Sequence, residues 1–224
     1  MDVVLRGGHE RDEPPAEGGR WPVTIVCVPP QAIRARLDAL MREALVHTGP
    51  GHFLTGRPDS SHLTVRALEP YRDAAAPTDA VTSDWLAALV RAARSTPPLE
   101  LRLTGVTLTR GGVMAQVEAV GDEPWAFMRR LRDELGSLAW YEDQWMERNI
   151  WYATLVHFGA PILDAKGLVD WVGRHRGIEP VEFIVDAASL VRSRHRWDED
   201  EQFMAMELWH TVPFRGHRRL TSAG

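Results

Sequence analysis

The sequence predicts a mixed α+β fold, and three observations carry that prediction. Short β-branched runs alternate along the chain with longer stretches whose apolar residues recur every three or four positions. Two alternating runs flank Arg110-Gly111-Gly112, the pattern of an antiparallel hairpin. No Pro/Ser/Gly-rich linker interrupts the order, so the chain reads as one globular unit.

The elements follow in order. Residues 1–20 carry Gly-Gly pairs, Pro14-Pro15 and mixed charges with few apolar side chains, and are expected to form a flexible leader. Residues 23–28 form a β-branched run stopped by Pro29-Pro30, which predicts a buried strand. Ile33, Leu37, Leu40, Met41 and Ala44 then make one apolar stripe of a helix, opposite Arg34, Arg36 and Arg42. A Gly/Pro/Asp/Ser-rich loop leads to a strand at residues 61–68.

Thr82 or Ser83 is placed to cap a third segment, a helix with Trp85, Leu86, Leu89, Val90 and Ala93 inward, ended by Pro97-Pro98. The hairpin strands are expected at 99–109 and 113–120. A helix from about Asp122 buries Trp125, Met128, Leu131 and Leu135, with Gly136 as its left-handed stop, and a second lobe is expected to begin there. Residues 139–149 read as an acidic, aromatic loop before a strand at 150–158. A helix follows Pro161 with Leu168, Val169 and Val172 inward. Strands at 181–191 and 203–210, joined by a charged turn at 192–201, close the chain, and a loose basic tail occupies 213–224.

Composition narrows the function classes. With 224 residues and 44% hydrophobic content the chain can bury a sizeable core. The formal net charge of -5 does not select nucleic acid or an anionic membrane as partner. Lys166 is the sole lysine among the 26 basic residues, a bias read as compositional rather than as a phosphate site. Cys27 is the only cysteine, so a disulfide framework and a thiolate metal cluster are both excluded. No apolar stretch approaches the roughly 20 residues that span a bilayer, and residues 1–20 are not signal-like. A cytoplasmic protein with no membrane contact and no obligatory protein partner is expected.

The candidate working surface is the strand at 61–68. Alternation turns Leu63, Val65 and Ala67 to one face and His62, Thr64 and Arg66 to the other. An imidazole, a hydroxyl and a guanidinium in a row suit an anion, above all a phosphate. Of the nine histidines only His62 is followed two places later by Ser or Thr. Residues 151–156 repeat the design, with Tyr152 and Thr154 opposite Trp151, Ala153 and Leu155. By the same alternation His157 falls on the opposite face from Tyr152 and is not expected in the site.

On these two segments the chain resembles the two-histidine (2H) phosphoesterase superfamily, the 2'-5' RNA ligase-like and cyclic phosphodiesterase proteins, over residues 21–211. That family carries His-x-Thr/Ser twice, once per lobe. His62-Leu63-Thr64 matches the first motif; in the second, Tyr152-Ala153-Thr154 has Tyr152 where the family has histidine. The resemblance implies a single two-lobed domain at 21–212, with mainly antiparallel sheets around a central cleft and helices outside. It implies a cofactor- and metal-independent phosphoesterase acting on a 2',3'-cyclic phosphate, a 2'-5' linkage or a related nucleotide phosphodiester. The partner in the cleft would be a nucleotide or RNA end.

In that scheme one imidazole is general base and the other general acid. His62 would transfer protons, Thr64 and Thr154 would hold phosphate oxygens, and Arg66 would add charge. Tyr152 would donate a hydrogen bond or act as a weak acid, its phenol reference value lying roughly 3.5 units above imidazole. The alternative is a catalytically degenerate nucleotide- or RNA-binding protein that keeps the cleft.

Other residues take plainer roles. Trp140, Tyr141 and Trp145 are expected in core packing ahead of base stacking. Arg192, Arg194 and Arg196 are expected in a solvated turn, where 198–201 cancel their field. His175, His195, His210 and His217 show no metal or triad spacing.

Overall fold

The computed structural model describes residues 1–144 and 148–217. Strand β1 (Val23–Cys27) is buried along its whole length. Helix α2 (Gln31–Thr48) follows, its expected stripe buried and its end marked by Gly49 at φ 79°. The two-residue strand β2 (Phe53–Leu54) then precedes β3 (Leu63–Glu69). Helix α3 (Ala80–Arg94) starts two to three residues before the expected cap, because Asp79 occupies the N-cap position. The hairpin β4 (Leu99–Leu108) and β5 (Gly112–Ala119) forms as read.

Helix α4 (Glu123–Leu135) ends at Gly136, φ 52°. The expected loop beyond it is instead a 3-10 turn, Gly136–Ala139, running into the short helix α5 (Trp140–Asp143). Strand β6 (Trp151–His157) and helix α6 (Ala165–Arg174) come next. The run read as one strand at 181–191 is broken at Asp186 into β7 (Val181–Val185) and β8 (Ala187–Asp198). The expected charged turn is a continuous ladder of β8 with β9 (Glu201–Pro213), tightening only at Glu199, φ 52°.

The nine strands among the described residues join one mixed, mostly antiparallel sheet in the order β3-β1-β8-β9-β2-β6-β5-β4-β7. Its two halves meet where β2 pairs with β9 in parallel, Phe53 opposite Gln202. Helices α2 and α6 pack together against β6 and β4, while α3 and α4 pair, α3 against β8 and β9. The boundary between halves is not at residue 136: β4 and β5 already lie in the half of β6, and β8 and β9 return to the half of β1. Each central strand needs a partner on both edges, and β1 finds its second partner only in β8.

The leader is laid against this sheet. Val4 of helix α1 (Asp2–Leu5) is buried, the Glu10 amide donates to the Arg110 carbonyl at 2.8 Å, and the Asp12 amide donates to the Phe158 carbonyl at 2.6 Å. The tail is tied down where it leaves β9, with Phe214 buried and the amides of Arg215 and Gly216 donating to Ala93 and Thr96.

Arg192, expected in a solvated turn, is 1% exposed. Its guanidinium donates to the carbonyls of Ala75 at 2.7 Å, Arg72 at 2.9 Å and Asp73 at 2.7 Å, so it organises the loop between β3 and α3. Arg194 pairs with Glu207 at 2.5 Å. Replacing Arg192 by Met strips three carbonyls, that of buried Ala75 among them, of a charged donor and is expected to lower stability by about 3 kcal/mol, read from urea unfolding.

Candidate active site

Strands β3 and β6 line opposite sides of a cleft of about 150 Å³. His62 and Thr64 line it from the β3 segment, Tyr152 and Thr154 from β6. The volume suits a phosphate and its ester oxygens, whereas whole drug-sized ligands occupy pockets of about 300 Å³ or more. Thr55, just past β2, closes the floor and donates its hydroxyl to the Thr154 carbonyl at 3.1 Å.

Two bulges decide which side chains enter the cleft. Along β3, Arg66 pairs with Ile25 and Thr64 with Val26, so Val65 is an extra residue and alternation changes phase there. Ala67 consequently lines the cleft while Arg66 is carried to the other face. This corrects the expectation that Arg66 binds phosphate beside Thr64. The residue is 5% exposed, and its guanidinium donates to the Ala139 carbonyl at 2.8 Å and pairs with Asp143.

Strand β6 repeats the device. Met114 pairs with Thr154 and Val113 with Val156, leaving Leu155 extra. Both Leu155 and Val156 are buried, and His157 returns to the face of Tyr152 and Thr154, where it lines the cleft. The expectation that His157 points away therefore fails for a physical reason: regular alternation does not survive a bulge. One signal for it is in the sequence. Gly112 pairs with His157, and a Cβ at Gly112 would meet the Val156 carbonyl at 2.3 Å, so the strand opposite the bulge must be glycine.

Each imidazole is held by one nitrogen. His62 Nδ1 lies 2.7 Å from the Ser60 carbonyl; a carbonyl only accepts, so Nδ1 carries the proton and Nε2 keeps its lone pair. His157 Nδ1 lies 3.1 Å from Asp12 Oδ2 and 3.4 Å from Arg20 Nη2, while Arg20 holds the other oxygen of Asp12 at 2.6 Å. Burial lowers the pKa of His62, assisted by the charges of His157 and Arg148 and opposed by the Ser60 carbonyl. Burial also lowers that of His157, against the pull of Asp12. Asp12 itself is lowered despite burial, because His157 and Arg20 favour its anion.

Arg148 supplies the positive charge that Arg66 does not. It lines the cleft, and its Nη1 donates to the Tyr152 hydroxyl at 3.3 Å. The carboxylate of Glu142, fully buried, holds it through contacts of 2.9 and 3.1 Å and also accepts the Ala67 amide at 2.9 Å. Tyr141 lines the cleft and Trp140 is 48% exposed, which corrects the core-packing expectation for both; Trp145 lies outside the described residues. Arg20, Trp21, Thr55, Arg148 and Ser193 are cleft residues that no spacing in the sequence marks.

No protein-family model matches the chain, and no curated protein matches it. Solved structures do. TT0787 of Thermus thermophilus superposes over 88% of this chain and 99% of its own, at 22% identity and a TM-score of 0.61. E. coli LigT complexed with NADP+ covers 87% of this chain and 98% of its own at 14% identity and a TM-score of 0.53. The same protein complexed with 3'-AMP gives 86%, 98%, 15% and 0.52. The fold is that of the two-histidine phosphoesterases. Within that fold this chain carries one His-x-Thr on β3 and Tyr-x-Thr on β6, with His157 added on the same face.

The support of the cleft can be measured through stability. Replacing Glu142 by Gln takes from the Arg148 guanidinium the buried carboxylate that contacts it at 2.9 and 3.1 Å, and a loss of about 3 kcal/mol is expected in urea unfolding. For pH, His62 and His157 have folded-state values below the unfolded reference near 6.5. The unfolded chain therefore binds more protons in the window below that reference, so their contribution is complete above about pH 6.5 and lost as pH falls through the folded values. The unfolding free energy should drop between pH 7 and 5, and less steeply in His62→Asn.

Proposed function

We propose that the protein is a metal-independent phosphoesterase acting on a 2',3'-cyclic phosphate, a 2'-5' linkage or a related nucleotide phosphodiester. One observation carries this reading: His62, Thr64, Tyr152 and Thr154, from strands 90 residues apart in the chain, meet around a single anion-sized cleft. The ligands of E. coli LigT, among them 3'-AMP, ATP and NADP+, support a nucleotide as the occupant.

In this reading the two threonine hydroxyls donate to the non-bridging phosphate oxygens, and Arg148 balances their charge through space and through the Tyr152 hydroxyl. His62, neutral near pH 7 with Nε2 unblocked, takes the proton of an attacking water. Tyr141, with Trp140 edge-on to it at 5.6 Å, stands where a base emerging from the cleft would stack. The finer choice among cyclic phosphate, 2'-5' linkage and other diesters is left to assay.

Turnover of a panel of 2',3'-cyclic nucleotides and 2'-5' dinucleotides, in EDTA, is the test. The parent should turn over at least one, and His62→Ala should lower kcat/KM by about 10²- to 10⁴-fold. Equal rates for the two proteins, or none for the parent, would remove the reading. Retained 3'-AMP binding with no turnover would favour a degenerate binding protein, the course that Tyr152 in the second motif suggests.

A further inference from the structure

We propose that His157, oriented by Asp12 of the N-terminal segment, is the second acid–base group of the cleft and the proton donor opposite His62. The proposal rests on the phosphoesterase reading and names the residue that the Tyr152 substitution leaves unfilled.

Register places His157 in the cleft. It stands five residues after Tyr152, as Ala67 stands five after His62, and in both strands a single extra residue after the threonine returns that position to the cleft. The two motif strands thus present the same three positions to the ligand, 62, 64 and 67 on one side and 152, 154 and 157 on the other. One strand carries its imidazole at the first position. The other carries it at the third.

Asp12 sets the orientation of the ring. It only accepts at pH 7, so its Oδ2, 3.1 Å from Nδ1 of His157, favours a proton on that ring and leaves Nε2 for the substrate, while Arg20 Nη2 approaches the same Nδ1 at 3.4 Å. Asp12 does not wander: its amide is tied to the Phe158 carbonyl at 2.6 Å and its second oxygen to Arg20 at 2.6 Å. The indole of Trp21 lies edge-on to the His157 ring at 4.8 Å and fixes its tilt.

The asymmetry of partners assigns the roles. Each ring has a guanidinium near it, Arg148 for His62 and Arg20 for His157, but His62 has a neutral carbonyl behind it whereas His157 has the Asp12 carboxylate. The protonated form of His157 that would donate is the one Asp12 favours, against burial and Arg20. The other charged and titratable groups around the pair are Arg20 from the leader, Tyr141 from α5, and Tyr152 and Arg148 at β6.

The step balances. Water attacks phosphorus as Nε2 of His62 removes its proton; the bond from phosphorus to the leaving ester oxygen breaks, and that oxygen takes the proton from Nε2 of His157. Diester and water become monoester and alcohol, with a proton moved from His157 to His62 and returned through solvent. Tyr152 is the poorer donor by side-chain type, since a phenol holds its proton far more tightly than an imidazolium.

The full chain and the variants His157→Gln, Tyr152→Phe and Asp12→Asn are compared on the substrates the parent turns over, with pH profiles and with 3'-AMP affinity as a check on the cleft. His157→Gln should lose about 10²- to 10⁴-fold in kcat/KM with 3'-AMP binding kept, and Tyr152→Phe only about 10-fold, the scale of one hydrogen bond. Asp12→Asn should move the alkaline limb of the kcat/KM profile to lower pH, because the carboxylate that favours the His157 imidazolium is gone.

A His157→Gln protein within about threefold of the parent, while His62→Ala is inactive, overturns this proposal and leaves the phosphoesterase reading intact. An unmoved alkaline limb in Asp12→Asn overturns the role of Asp12. Loss of 3'-AMP binding together with turnover in His157→Gln marks a structural role and overturns it as well. An inert parent overturns both readings at once.

Discussion

A single buried carboxylate ties the site to the rest of the molecule. Glu142, on a helix of only four residues, accepts the Ala67 amide where β3 leaves its bulge and holds the guanidinium of Arg148. A charge with no solvent access persists only with a counter-charge and filled hydrogen bonds, and here both are in place. The helix, the β3 backbone and the residue that bonds to Tyr152 are thereby joined at the cleft through one carboxylate. Arg66, pressed against the same helix through Ala139 and Asp143, is part of this support rather than of the ligand site.

The bulges at Val65 and Leu155 perform a second task. An unbroken strand offers the ligand every other residue; an inserted one lets positions five apart face the same way. The cleft thus draws three side chains from each strand without a change of strand direction. Gly112 is the cost on the neighbouring strand, since no larger residue leaves room for the Val156 carbonyl.

Much of this is legible in the sequence. Apolar periodicity locates α2, α3, α4 and α6, and turn residues locate the β4–β5 hairpin, because these depend on local patterns. His62, Thr64, Tyr152 and Thr154 can be read because alternation holds up to each bulge. Arg66 and His157 escape that reading because they lie just beyond one, where phase is set by pairing across the sheet. The leader escapes it for a related reason. Its few apolar residues hide a backbone that bonds to Arg110 and Phe158, contacts with residues about a hundred and more positions away that no local window reports. Arg192 belongs with these: a charged residue in a charged run reads as exposed until its three carbonyl partners are folded around it.

The interleaving of the sheet has a consequence for synthesis. Strand β1 is entirely buried, yet one of its two edges is covered by β8, whose first residue is 164 positions after the start of β1. On the ribosome β3 can dock early, but the other edge of β1 stays bare until nearly the whole chain has emerged. An unpaired apolar edge is an invitation to wrong partners. That edge of β1 is therefore open to mispairing throughout translation of the half that carries β6, and it closes only after both walls of the cleft have been made.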